Sequence, residues 1–581
     1  DYYRSYLFRS PKASGAGSTG IDILFQLCDN IAAGAPPEKV KAVLYLSTGS
    51  ALLKPKTEDK PDGDVRPVCV TGILRKLASG TLLSQFKEGI VQRFEESHQY
   101  GASKDGNVKV FHAIKTLLEA DPTLAAVSMD CRNAFNCVSR FAVLKGLRTI
   151  CPQLIPFFCD IYARCNKVRF SRSDLEGIFH TDVSNKEGVQ QGCTFGSILF
   201  CIATLETIER MRFEFCADGS ARVFCICDDV YIVAKPLMAM KMAAWYEREI
   251  GLGDHTATSP GPALSINRSK SHVYSPMALP ESPRGVTDVY ADYVVHTPDE
   301  GIKVLGGYIG ADAWVIKRLG AHTQELIGRF WRLELLSRAD LFIVQQLVPM
   351  CYISRFSHLL RYHAPSLIVE AAREFDALTM ALMEVFFKIE ALTPEQCTRA
   401  SLPRRLGGWA LRSQARTRHA AFAAGFCTAL TCKAMSDDVT LGPLIRHLGK
   451  SQSPLAHGPL YRPVAPIFEE LSVSMRACAD AMAPADAAGI FVGPTMFNHV
   501  VALGKKGAQS KLTRAVERLV ADNLLGEANP TPDPRHAIER RARWNNITGT
   551  HASAGFKCIH AFIPGDKSNA AIQFALEQQL D

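Results

Sequence analysis

Apolar and polar positions follow short strand-like runs in the first half of the chain and longer helical spacings in the second. After a Gly/Ser-rich patch at 14–20, Ile21 to Ala33 has helical character; no lysine follows the patch at phosphate-loop spacing, so it reads as a loop. Residues 41–75 read as a hairpin, with strands at Ala42 to Leu46 and Ala51 to Leu53. Its polar tip runs from Thr57 to Asp64 and its return strand from Val65 to Val70. Helical spacing covers 73–97 and then Val108 to Leu118, where Val108, Phe111, Ile114, Leu117 and Leu118 share one face and predict core. Leu124 to Met129 is a short buried strand ending at Asp130. Gly188, Gly192 and Gly196 allow close backbone approach, and an apolar helix follows to about Met211. Phe224 to Val233 is apolar and β-prone except at Asp228 and Asp229, which predicts two strands joined by a tight turn at the acids. Leu237 to Ile250 predicts a helix.

Beyond residue 311 strand-like runs thin out. Amphipathic helices are expected at Glu325 to Leu336 and Leu341 to Leu360, a structured turn at Leu402 to Trp409, and Ala-rich helix over 420–525. Pro530, Pro532 and Pro534 mark a linker, and Arg535 to Trp544 a basic helix. A length of 581 residues suggests several domains, and 47% hydrophobic with 21% charged residues fits a soluble globular protein. The net charge of +8 suits a polyanionic partner without requiring one. Eighteen cysteines without a CxxC pair or zinc-finger spacing predict unpaired thiols in a reducing compartment, nucleus or cytoplasm. No apolar run reaches the roughly 18 residues of a membrane span, and no signal peptide is visible. The start at Asp1 rather than a methionine is expected of a piece of a longer chain.

Chemistry concentrates at Asp228 and Asp229. Burying a lone carboxylate is costly, and two together repel. A divalent cation removes that cost, and hard Mg²⁺ prefers such oxygen ligands. A polar hairpin turn explains the same two residues. Asp130, at a strand end, has a common address for catalysis and equally suits a helix N-cap. Lys54, Lys56 and Arg66 stand on both arms of the first hairpin and suit a triphosphate, although a solvated basic hairpin accounts for them as well. Basic and aromatic residues interleave at Arg329, Phe330, Trp331, Arg332, Arg355, His358, Arg361, Tyr362 and His363, as on a nucleic-acid-binding face or a solvated helix.

Taken in order, six segments over roughly residues 45–310 resemble the reverse transcriptase domain. Arg66-Pro67 resembles the fingers motif and Asp130 to Phe135 the first palm motif. Gly188 to Phe200 resembles the Gly-Val-Gln-Gln-Gly motif, and Cys227-Asp228-Asp229 the x-Asp-Asp motif. Asn267 to Lys270 and Leu305-Gly306-Gly307 resemble the last two palm motifs. The Leu-Pro-x-Arg-x-Gly-Gly-Trp segment at 402–409 and the Arg-rich tail resemble polymerases of non-LTR retrotransposons and related eukaryotic mobile elements. Two departures stand out: Ile226 replaces the usual aromatic before the acid pair, and Cys193-Thr194 replaces a frequent Asp-Pro.

The resemblance implies an α+β right-hand polymerase: fingers, a palm with an antiparallel sheet and packed helices, and a helical thumb, then a mainly α C-terminal region. The expected division is N-terminal region and fingers over 1–120, palm with an interleaved fingers segment over 121–310, thumb or connection over 311–420, and an α-helical region over 421–581. It implies an RNA-directed DNA polymerase using two Mg²⁺ ions, with Mn²⁺ as a substitute, on Asp130, Asp228 and Asp229. Phe135 would exclude a 2′-hydroxyl, its alternative being core packing. Gln191 and Gly192 would line the nucleotide site, Lys270 would be the general acid for pyrophosphate, and Lys54, Lys56 and Arg66 would grip the triphosphate. Leu305, Gly306 and Gly307 would shape the primer grip. Implied partners are an RNA template, a DNA or RNA primer and dNTPs, with no membrane.

Two rival readings have sequence discriminants. An RNA-dependent RNA polymerase shares the palm but would carry a polar residue near Phe135. A polymerase-derived nucleic-acid-binding scaffold would have lost at least one of the three acids, and all are present. Neither a zinc-coordinated endonuclease signature nor an RNase H acidic set is visible.

Overall fold

The computed structural model describes residues 20–54, 64–163, 166–174, 177–283, 288–446, 464–491, 496–505 and 507–527. Lys56, most of the 57–64 tip, the proline linker and the basic helix expected at Arg535 to Trp544 lie outside the described residues. Eleven strands occur among the described residues. They are β1 (Ser47–Lys54), β2 (Asp64–Thr71), β3 (Ala125–Met129), β4 (Asn166–Asp174), β5 (Gly177–Asn185), β6 (Arg222–Ile226), β7 (Asp229–Ala234), β8 (His272–Tyr274), β9 (Val294–His296), β10 (Gly301–Val304) and β11 (Gly307–Gly310). Helices supply most of the remaining structure, so the fold class is α+β.

The chain forms two compact units. The first takes in the described residues of Asp1–Asn107, Ala125–Val273 and Leu279–Val295. Its centre is a five-stranded sheet in the order β6-β7-β3-β8-β9. β3 and β7 pair antiparallel from Ala125↔Ala234 to Met129↔Val230, and β7 pairs with β6 from Arg222↔Val233 to Ile226↔Asp229. β3 and β7 are buried on both faces, which explains their nearly unbroken apolar runs. The helix Pro236–Ile250 packs on β3 and β7. The helix Gly196–Phe215 crosses Arg140–Ile150 so closely that a Cβ on Gly146 would lie 2.6 Å from the Ile202 carbonyl oxygen. A core from Ile31 to Val273 unites these elements, and each fully buried Val or Ile contributes about 1.5–3 kcal/mol.

A second sheet of this unit runs β2-β1-β4-β5, with β1 and β4 parallel. The β4–β5 hairpin has no forecast in the hydrophobic pattern because β5 is exposed along almost all of its length. The expected strand at Ala42 to Leu46 is instead the end of a helix, Glu38–Tyr45. Pro37 stands before it in an extended conformation (φ −54°, ψ 136°), Glu38 sets a carboxylate in the first turn where the macrodipole favours it, and the strand starts only at Ser47.

The second unit takes in the described residues of Val108–Leu124, Tyr274–Ala278 and His296–Asp581. Helices Asp312–Phe330, Pro365–Phe387 and Gln414–Leu430 pack around buried Leu319, Phe330, Phe356, Phe375, Phe387 and Trp409. The structured turn expected at Leu402 to Trp409 is present: Gly407 has φ +79°, and a Cβ on Gly408 would lie 2.1 Å from the Leu402 carbonyl oxygen. The helix expected over Leu341 to Leu360 is broken into Leu341–Leu347, a π turn Val348–Ile353, Ser354–Ser357 and Leu359–Tyr362. Pro349 inside the π turn has no N–H to give, so the regular ladder cannot continue through it. The expected helix at Glu325 to Leu336 is likewise divided, by a 3₁₀ turn at Trp331–Leu333. No described helix is long and apolar enough to cross a membrane.

Candidate active site

The β6–β7 pairing closes at Ile226↔Asp229, which leaves Cys227 and Asp228 as a two-residue turn. Cys227 takes φ +53°, unusual for a residue with a side chain. Asp229 opens β7, and the next residue, Val230, faces Met129 on β3. Asp130 follows Met129, so the three acids gather at one end of the sheet.

The backbone of Asp130 is fixed from the side. Its carbonyl accepts the Asn267 N–H at 2.7 Å and its N–H donates to Ser271 Oγ at 3.1 Å. Ser271 Oγ in turn donates to the Asn267 carbonyl at 2.9 Å. A bidentate Arg268–Glu247 pair steadies the same turn. Lys270 closes it as an exposed side chain.

Burial raises the carboxyl of Asp229 to about 7, reinforced by the charges of Asp228 and Asp130. Burial also raises Asp228; its own backbone N–H opposes this, Asp130 adds to it, and Arg66 opposes it. The buried Cys131 thiol is pushed up by burial first and then by all three acids. Among the described residues no three His, Cys, Asp or Glu side chains form a ready-made metal cage. Mg²⁺ does not need one, because it keeps several waters and binds through one or two carboxylates plus substrate phosphates. Half-buried carboxylates that repel one another have the hard oxygens and negative charge that suit such an ion.

The loop over 188–196 is pinned to its surroundings. Arg140 donates to the carbonyls of Gly188, Tyr162, Asn185 and Glu187 and to Asn185 Oδ1, over 2.7–3.1 Å. Val189 N–H reaches the Phe135 carbonyl at 2.7 Å. The Phe135 ring stacks on Phe200 at 4.8 Å and is only half-buried, so it packs on one side and keeps part of its surface exposed. Gln191 is tied to β2 by the Cys69 N–H at 2.7 Å, and its buried Oε1 has no hydrogen-bond partner among the described residues. Gly192 has φ +91°, and a Cβ there would lie 2.4 Å from the Cys69 carbonyl oxygen. Arg66 is exposed on the same strand.

The structure therefore brings Asp130, Asp228, Asp229, Phe135, Gln191, Gly192, Arg66 and Lys270 into one unit. Lys54 ends β1 opposite Asp64. Leu305, Gly306 and Gly307 belong to the second unit, where Leu305 (φ +49°) and Gly306 (φ +89°) form the β10–β11 turn. A Cβ on Gly307 would lie 2.5 Å from the Phe111 ring, so this hairpin is seated directly on Phe111.

Arg140 and Ser271 are site-supporting residues that motif reading missed. The sequence signal for Arg140 is weak: a cation in the first turn of a helix, where the macrodipole slightly disfavours it. Ser271 gives no signal.

No family model matches the chain. A stretch of 181 residues is 30% identical to the retrotransposable element SLACS 132 kDa protein of Trypanosoma brucei gambiense. The match covers 30% of this chain and 14% of that protein, so over that stretch the chain is a partial homologue of a retrotransposable-element protein. Among solved structures, apo telomerase from Candida tropicalis is 10% identical with a TM-score of 0.33, covering 72% of this chain and 73% of that one. Telomerase from Candida albicans in complex with a telomeric RNA fragment is 14% identical with a TM-score of 0.29, covering 73% and 68%. The RNA-dependent RNA polymerase of BmCPV is 9% identical with a TM-score of 0.25, covering 90% and 49%.

Proposed function

We propose that this chain is the RNA-directed DNA polymerase of a mobile element, extending a primer 3′-hydroxyl with dNTPs on an RNA template. The observation that carries the reading is the gathering of Asp130, Asp228 and Asp229 at one sheet end, where burial and mutual repulsion raise Asp228 and Asp229. The ordered set of six motifs and the partial homology to a retrotransposable-element protein support it.

In this reading the five-stranded sheet and its helices are the palm, the β1–β2 and β4–β5 hairpins belong to the fingers, and the helices after 311 form the thumb. Asp130 and Asp228 would hold two Mg²⁺ ions, or Mn²⁺ in substitution, with Asp229 assisting. Such ions, when bound, lower the pKa of the attacking hydroxyl and stabilise charge on the transferring phosphoryl group. The protein's own part is to position and to shield. Arg66, Lys54 and Lys56 grip the triphosphate, and Arg is suited to this by its bidentate fork. Phe135 blocks a ribose 2′-hydroxyl by bulk. Gln191 and Gly192 line the nucleotide site, and the unpartnered Gln191 Oε1 is available to a ligand donor. Lys270 supplies the proton to the leaving pyrophosphate. Leu305, Gly306 and Gly307 support the primer end.

Primer extension on an RNA template tests the reading. dNTP incorporation dependent on Mg²⁺ is expected, with rNTPs poorly used. Extension with rNTPs alone would replace the reading with an RNA polymerase, and the absence of any extension would remove it.

A further inference from the structure

The Cys227–Asp228 turn holds a conformation that its own residues do not favour. Two-residue hairpin loops place glycine or asparagine where φ is positive, yet this loop has Cys227 at φ +53°. Such strain persists only where the surroundings impose it. The surroundings here are the segment His98–Gly101. It lies along β6 as a short extra strand: Tyr100 N–H donates to the Cys225 carbonyl at 2.7 Å, and Cys225 N–H donates to the His98 carbonyl at 2.9 Å. The His98 ring stacks on Phe224 at 5.7 Å and 6°.

From this segment the fully buried Gln99 side chain reaches the turn. Its Oε1 accepts the N–H of Gly101 at 2.8 Å and of Cys227 at 3.1 Å, and its Nε2 donates to the Cys227 carbonyl at 3.3 Å. Two backbone donors converging on one amide atom make that atom the oxygen, so the orientation follows from the network. One carboxamide thus grips both ends of the strained residue. Gly101 makes the approach feasible, since a Cβ there would lie 2.6 Å from Cys227 Sγ and 2.7 Å from Cys227 N.

We infer that Gln99 is a positioning residue: its carboxamide holds Cys227 in the left-handed conformation and thereby aims the carboxylate of Asp228. The inference rests on the polymerase reading for its consequence in rate, but not for the clamp itself.

Two measurements separate these. In substrate-free protein, Gln99→Met keeps the bulk and removes all three hydrogen bonds. Amide exchange over residues 225–230 should accelerate at least tenfold, with exchange at β3 unchanged. In single-nucleotide extension the same variant should lose about 10–100-fold in kcat with KM for dNTP little altered, and tenfold corresponds to about 1.4 kcal/mol. Adding Cys227→Gly should recover most of that loss, because glycine takes a positive φ without penalty. Gln99→Leu also removes all three hydrogen bonds and should behave like Gln99→Met, which keeps the test usable if one variant fails to fold. Unchanged exchange at 225–230 in a folded variant overturns the clamp. A rate loss that Cys227→Gly does not relieve overturns the aiming role. Accelerated exchange in a protein without polymerase activity upholds the clamp and removes only the polymerase reading.

Discussion

Neutralising one acid of the cluster should stabilise the protein while removing the proposed primer extension. Asp228→Asn keeps the side-chain shape and deletes a charge that faces Asp229. The Asp229 carboxyl stands at about 7 against an ordinary 3.8. At about 1.4 kcal/mol per pH unit, keeping it ionised above pH 7 costs roughly 4 kcal/mol. Burial is the largest cause, and Asp228 is next. Deleting that charge should therefore return on the order of 1 kcal/mol. The assay is native-state hydrogen exchange at β3 and β7 with added urea, at pH 8 and low salt with a chelator present. Asp228→Asn should open less readily than wild type. With Mg²⁺ in excess the order should reverse: binding at 100 times Kd stabilises wild type by about 2.7 kcal/mol, and the variant gains less. A variant less stable than wild type in chelator, or an equal Mg²⁺ gain in both, would refute the view of the three acids as a repelling, cation-hungry set.

Other perturbations probe separate links. Gly192→Ala should destabilise the first unit by about 2–4 kcal/mol, because φ +91° is strained for alanine and its Cβ meets the Cys69 carbonyl at 2.4 Å; urea unfolding measures this. Phe135→Ala should admit rNTPs in primer extension, and unchanged sugar selection would reassign the ring to packing alone. His112 is fully buried, its Nε2 is hydrogen-bonded to the Arg361 carbonyl at 2.8 Å, and burial lowers its pKa to about 3 from 6.5. The unfolded chain binds the extra proton, so stability is full above pH 6.5 and falls toward pH 3 by up to about 1.4 kcal/mol per unit. His112→Gln should flatten that slope in urea unfolding of the second unit.

What sequence could reveal follows from which contacts are local. The acids of β6–β7 and the strand before Asp130 were legible because two-sided burial writes an apolar run broken only at the charges. The helix at Glu38–Tyr45 was not, since five apolar residues fit either period and a first-turn acid, Glu38, is a weak signal against them. The β4–β5 hairpin was illegible because β5 buries almost nothing. The breaks in 341–360 were signalled by Pro349 but outweighed by the amphipathic pattern. Arg140, Ser271 and Gln99 act through backbone atoms distant in sequence, and no spacing rule records such partners.

The most direct test is a double-mutant cycle on Asp130 and Asp228, read as the rate of a single dNTP addition on an RNA template. If both acids serve one centre, Asp130→Asn and Asp228→Asn each lose about a thousandfold or more, and the double variant is no slower than the worse single. Losses that multiply in the double variant, or a single variant that keeps its rate, would contradict the account.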